Sequence, residues 1–263
     1  MEVGINVWTW GTKSKEQFEQ ALKEVSDIGY QAVENIATIV ALYDDSPDEF
    51  DSMMDRYGLE FVCGYHHLTS DFKSDYAKAE RYLQFFKKHG VTIMNIQAPA
   101  RPQNSPTEMD LADTAEVISQ IGKLANKYGV TLCLHPHYGT NVERANELVY
   151  MVKNLDPSLV SLTLDTGHTV LGGMDPVSTF SQYADRVRYV HMKDIMPVSD
   201  PSQPWWSWFR ELGRGTVNLP EVVNILKNTG FDGVLCVEMD KPRVCGYKSA
   251  AISRQYIREE LGL

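Results

Sequence analysis

Eight short apolar runs, each followed by a stretch whose apolar residues recur at three- and four-residue spacing, constrain this chain more than any other feature. The runs cover 3–10, 32–36, 61–66, 91–98, 130–135, 160–165, 187–191 and 234–238. Between and after them the spacing predicts helices over 15–28, 47–57, 74–89, 109–128, 143–154, 177–184, 220–228 and 249–261. Gly29, Gly58, Gly90, Gly129 and Gly230 stand where helices hand over to strands, as glycine at a left-handed helix end should. Strand and helix alternating eight times in a chain of 263 residues predict one (β/α)8 barrel over 1–263. An open doubly wound sheet would carry a glycine-rich phosphate loop after its first strand, whereas Gly11-Thr-Lys-Ser has a single glycine.

Charge narrows the partners. Lys and Arg number 25 against 35 Asp and Glu, a formal charge of -10, so the chain has no overall attraction for nucleic acid or an anionic membrane surface. No apolar run nears the roughly 20 residues of a spanning helix. The opening Met-Glu-Val-Gly-Ile lacks a signal-like pattern, and Cys63, Cys133, Cys236 and Cys245 show no CxxC spacing. These features predict a reduced, cytoplasmic protein. One connection, 195–217, is long and carries Trp205, Trp206, Trp208 and Phe209 among prolines. Length of that order predicts either a lid or oligomer contact, or an aromatic plug against the barrel's own helices.

Active sites of such barrels form where the strands end. Six of the seven histidines fall at predicted strand ends (His66, His67, His135, His137, His168, His191), while His89 falls in a helix C-terminal turn. Asp165, His191 and Glu238 each end an apolar run, and His135 holds the matching place on the fifth. Two imidazoles and two carboxylates make a site for a divalent transition metal such as Mn, Co, Fe or Zn, because these ions accept mixed nitrogen and oxygen donors. The same four groups without metal would form a buried ion-pair network. His168, three residues past Asp165, and Lys193, two past His191, are candidate acids or bases, with a lowered pKa expected for a lysine beside a metal. A plain salt bridge from Lys193 to Asp194 or Glu238 is the alternative. Glu34, His67, His137 and again Lys193 are candidate substrate contacts, and of the neighbours His66 and His67 only one should face inward.

Leu-Asp165-Thr-Gly-His168, Val-His191-Met-Lys193-Asp194 and Val-Glu238, in that order, resemble the xylose-isomerase-like barrel superfamily of sugar isomerases and epimerases. His135-Pro-His137-Tyr-Gly139-Thr140 ahead of them is most similar to the inosose dehydratases. The resemblance implies a divalent metal, commonly Mn or Co with Zn, Mg or Fe possible, held by His135, Asp165, His191 and Glu238. It also implies a small polyol or sugar substrate, and a dimer or tetramer by analogy. Ketose 3-epimerases of the superfamily use a Glu on strand five as well as on strand eight. Here strand five offers His135, which suits a lyase that works one face of a keto-polyol through a metal-stabilised enediolate, with Glu238 among its catalytic groups. An isomerase or epimerase on the same metal is the second reading, beside related lyases (3-dehydroshikimate dehydratases, C-glycoside-cleaving subunits) and a barrel turned non-catalytic partner.

Overall fold

The computed structural model describes residues 1–11, 13–197, 200 and 202–263. Eight parallel strands close on themselves: β1 (Glu2–Asn6), β2 (Ala32–Ile36), β3 (Glu60–His67), β4 (Ile93–Gln97), β5 (Thr131–His135), β6 (Val160–Asp165), β7 (Val187–Met192) and β10 (Val234–Val237), with β10 bonded to both β7 and β1. Helices α1 (Lys15–Ile28), α2 (Pro47–Tyr57), α3 (Phe72–Lys88), α4 (Glu108–Tyr128), α5 (Ala145–Asn154), α7 (Pro176–Tyr183), α8 (Leu219–Asn228) and α9 (Gly246–Glu260) occupy the predicted helical stretches. Among the described residues no helix is long and apolar enough to cross a membrane.

Side chains alternate across each strand, and in a closed barrel that alternation separates two environments. Leu132 and Leu134 of β5, Leu162 and Leu164 of β6, Val190 and Met192 of β7, and Leu235 and Val237 of β10 belong to the large core they share with the helices. The intervening positions contribute a second buried cluster, in which Cys63, Cys133 and Cys236 pack with Tyr189. These cysteines fill space as small apolar groups. One step further along the same inward row come Tyr65, His135, His191 and Glu238, so the row runs from apolar to ionisable toward the strand ends.

Gly64 illustrates how tightly a strand packs on its helix: a Cβ there would come within 2.1 Å of the Phe86 ring, which is itself fully buried. Gly64→Ala should therefore cost about 1–3 kcal/mol through overpacking, read as a lowered denaturant midpoint with an unchanged slope.

Three departures from the sequence pattern have physical causes. The first strand stops at Asn6 instead of running to Trp10, because the Asn6 Oδ1 accepts the Trp8 N–H (3.0 Å) and turns the chain into a 3-10 turn over Trp8–Trp10. A short helix, α6 (Thr166–Leu171), follows β6 directly, capped by Asp165. Of the 195–217 connection, residues 198, 199 and 201 lie outside the described residues. The rest includes an antiparallel pair, β8 (Asp194–Ile195) with β9 (Phe209–Arg210), and a 3-10 turn over Trp205–Trp208. The Asp194 carboxylate accepts from Gly215 N (2.8 Å) and Val217 N (3.1 Å), which draws the two ends of the connection together.

Candidate active site

The strand ends surround a cup of about 200 Å³, lined by Asn6, Trp8, Ile36, Tyr65, His67, Gln97, His137, Glu238 and Asp240. This is small beside the roughly 300–1,000 Å³ of most ligand pockets, which fits a compact ligand and no polymer.

At its floor, donor atoms of His135, Asp165 and His191 lie within 4.8 Å of one another, and Glu238 approaches the last of them. His135 Nε2 lies 3.1 Å from His191 Nδ1 and 3.5 Å from Asp165 Oδ2. His191 Nδ1 lies 3.7 Å from Asp165 Oδ2 and 2.9 Å from Glu238 Oε2. Donors bound to one cation at roughly 2.0–2.2 Å stand roughly 3–3.5 Å from each other, so the spacing suits a shared ion. Asp165 Oδ2 and Glu238 Oε2 are buried without a hydrogen-bond partner, as atoms reserved for such an ion would be. Of the four residues expected from the sequence, His135, Asp165 and His191 form the group whose donor atoms all lie within 4.8 Å of one another, and Glu238 meets that group at His191.

Three of the donors, His135, His191 and Asp165, are aimed by neighbours. The Tyr65 hydroxyl donates to Gln97 Oε1 (2.7 Å), so the His135 Nδ1–H must donate to the tyrosine oxygen (2.6 Å), leaving the Nε2 lone pair toward the cluster. His191 Nε2–H donates to Glu34 Oε2 (2.7 Å), and Asn95 Nδ2 donates to Glu34 Oε1 (3.0 Å). Asp165 Oδ1 accepts both Gly167 N–H and His168 N–H at 2.7 Å, which starts α6 and turns Oδ2 inward. Gly167 is required there because a Cβ would lie 2.9 Å from Lys193 Cβ and 2.5 Å from Phe209. Tyr65→Phe, which leaves the His135 Nδ1–H without its acceptor, is expected to weaken metal affinity about 10–100-fold with the fold intact, as measured by manganese titration.

Lys193 is fully buried, with Nζ 3.4 Å from Asp165 Oδ2, 3.1 Å from Glu238 Oε2 and 3.0 Å from Asp240 Oδ2. It also lies 2.9 Å from His168 Nε2. Burial opposes its charge, yet Asp165, Asp240 and Glu238 outweigh burial and raise its pKa. The alternative partner Asp194 is instead taken by backbone N–H groups. His168 is pushed well below its ordinary pKa by burial, His137 and Lys193, so it is neutral and accepts at Nε2. For His191, burial opposes the charge but Glu238 and Glu34 hold the pKa well above the usual range. A cation taken up there would displace a proton.

The other predicted contacts divide. His67 lines the cup, while His66 is buried beside Tyr82 and the Asp75 carbonyl. His137 lines the cup and packs at a tilt against His168 with ring centres 3.6 Å apart. Glu34 is fully buried and engaged by His191 and Asn95, so its place is beneath the donor cluster and not among the groups lining the cup, a correction to its expected role as a substrate contact. Trp205 packs edge-on to His137 and at a tilt to His168. Part of the aromatic connection therefore abuts the site itself. Sequence reasoning passed over Tyr65, Asn95, Gln97 and Asp240, although each sits two residues from a recognised inward position or alternates within an apolar run.

Comparison with known proteins agrees with this architecture. Residues 22–261 match the family model described as xylose isomerase-like TIM barrel. An inosose dehydratase of Clostridium tetani is 32% identical over 169 residues, covering 60% of this chain and 57% of that protein. The chain thus spans well under two thirds of that relative's length. Among solved structures, a probable 3-DHS dehydratase AsbF involved in petrobactin synthesis from Bacillus anthracis superposes with TM-score 0.81 at 16% identity, covering 99% of this chain and 100% of that one. The IolI protein with a bound zinc atom gives TM-score 0.81 at 18% identity, covering 98% and 97%. At such identities the structural likeness concerns the fold.

Proposed function

This chain belongs to the xylose isomerase-like TIM barrel family, and on that premise we propose that it is a divalent-metal-dependent lyase that removes water from a small keto-polyol of the inosose kind. The observation that carries the reading is the one-sidedness of the site. The carboxylates that reach the cup or its floor, Asp165, Glu238 and Asp240, come from β6 and the end of β10, and the Lys193–His168 pair stands with them. The acid–base groups thus come from three neighbouring strands, β6, β7 and β10, whereas Asn6, Trp8, Ile36 and Gln97 from β1, β2 and β4 exchange no protons near neutrality, and Tyr65 and His67 end β3. Inverting a carbon centre needs a base on each face, whereas elimination needs proton traffic on one. The relatedness to inosose dehydratases supports the same choice.

His135 Nε2, Asp165 Oδ2, His191 Nδ1 and Glu238 Oε2 would hold the cation, with Mn or Co preferred for their mixed donors. When bound, it would supply Lewis acidity toward the substrate's carbonyl and adjacent hydroxyl. The chain's own groups do the proton work. His168 Nε2 is a neutral acceptor and Lys193 Nζ a held proton 2.9 Å away. The α-carbon proton passes to this pair and its electron pair becomes the new double bond. The β-hydroxyl leaves with the C–O electrons, takes a proton from the pair and departs as water. Trp205, packed against His168 and His137, helps keep bulk water from these groups.

His67, at the end of β3, favours a second reading, an isomerase or epimerase, since its imidazole could return a proton to the opposite face. Mass spectrometry of the product from inosose and the manganese-loaded protein separates the two. A product lighter by one water supports the lyase. A product of unchanged composition that has gained solvent deuterium at carbon would overturn it in favour of the isomerase.

A further inference from the structure

We infer that Asp240 is a specificity-determining residue that occupies the Lys193 ammonium and thereby restricts the cup to uncharged ligands, turning away carboxylates and phosphates of the same size. The inference rests on the reading of the cup as a polyol site and adds to it a charge rule and the residue that enforces it.

Asp240 lines the cup and accepts from Lys193 Nζ with both oxygens, Oδ1 at 3.2 Å and Oδ2 at 3.0 Å. The other carboxylate oxygens near Nζ are Asp165 Oδ2 and Glu238 Oε2, the two atoms suited to the cation. With a cation on those two, Asp240 is the carboxylate left to hold Lys193. Among the described residues no lysine or arginine lines the cup, and the buried Lys193 sits behind two residues that do, Glu238 and Asp240. The next basic residues along the chain, Lys241 and Arg243, line a different groove with Gln203 and Trp206. Asp165, Glu238 and Asp240, with Glu34 behind His191, are four carboxylates against one ammonium, so even a dication leaves the site acidic. An anionic ligand would add charge with no cation free to meet it, inside a buried setting where unpaired charge is costly. Without the Asp240 charge the ammonium becomes available, and an anionic group can take the place that Asp240 now fills.

The test is calorimetric titration of the manganese-loaded protein with myo-inositol and with quinate, cyclohexane polyols of similar size that differ in a carboxylate. The wild type should bind inositol at least tenfold more tightly than quinate. Asp240→Asn should bind quinate at least tenfold more tightly than the wild type does, and Asp240→Glu should restore the preference for inositol. Equal binding of the two ligands by the wild type overturns the inference while leaving the polyol reading in place, even if the asparagine variant fails to fold. Unchanged quinate affinity in a folded Asp240→Asn protein overturns it as well. If neither ligand binds the wild type, the polyol reading falls and takes the role of Asp240 with it.

Discussion

Asp165→Asn is expected to fold normally and lose its metal. The side chain has two separable duties. Oδ1 accepts the Gly167 and His168 N–H groups at the start of α6, and an amide oxygen can do the same. Oδ2 is the unpartnered atom 3.5 Å from His135 Nε2 and 3.4 Å from Lys193 Nζ. Asparagine puts an NH2 group there, which cannot bind a cation and points its hydrogens at an ammonium. Manganese affinity should fall further than the about 10–100-fold typical of losing an outer hydrogen-bond partner, and turnover should fall with it. Circular dichroism should match the wild type. Retained metal affinity would remove Asp165 from the donor set, and a lost fold would mean that the cap alone explains the residue.

Lys193→Met should have two effects of opposite dependence on metal. Without metal, the substitution strips the cation from among Asp165, Glu238 and Asp240, all within 3.4 Å of Nζ. Leaving buried carboxylates unpaired costs about 3–5 kcal/mol, so the metal-free variant should melt well below the wild type. Manganese at about 1,000 times its dissociation constant returns roughly 4 kcal/mol, which nearly offsets the loss. Catalysis should not recover, because the proton shared with His168 Nε2 is gone. Loss of such an acid–base group lowers turnover about 10²–10⁴-fold. Thermal melts in chelator and in manganese, with turnover measured on the same samples, check both halves. A variant equally stable in both conditions would contradict the charge balance assigned to Lys193.

The barrel was legible because one alternation repeats eight times and every handover ends near a polar residue. The meeting of His135, Asp165 and His191 was legible for the same reason: they close or adjoin apolar runs, and parity turns them inward. What surrounds them was less so. Tyr65 reads as an ordinary aromatic inside β3, and its contact with His135 depends on how β3, β4 and β5 register. The raised pKa of Lys193 depends on carboxylates from β6 and β10, which only barrel closure brings together. Asn95 and Gln97 did leave a trace, as alternating polar residues in the otherwise apolar fourth run, and Asp240 follows Glu238 by the two-residue step that keeps a side chain on the same face. The first strand was overdrawn because Val7-Trp8-Thr9-Trp10 has strand-like composition, while the Asn6 side chain turns the backbone out of the sheet. Helix α6 was missed because six residues are too few to show a period, although its Asp cap stood in plain view.

The central claim is that two imidazoles and two carboxylates share one cation. Crystals of the protein grown with manganese and measured by anomalous scattering test it directly. One strong peak within bonding distance of His135 Nε2, Asp165 Oδ2, His191 Nδ1 and Glu238 Oε2 is the result predicted here. A cup without a peak at saturating manganese, with Lys193 still bridging Asp165 and Glu238, would contradict it.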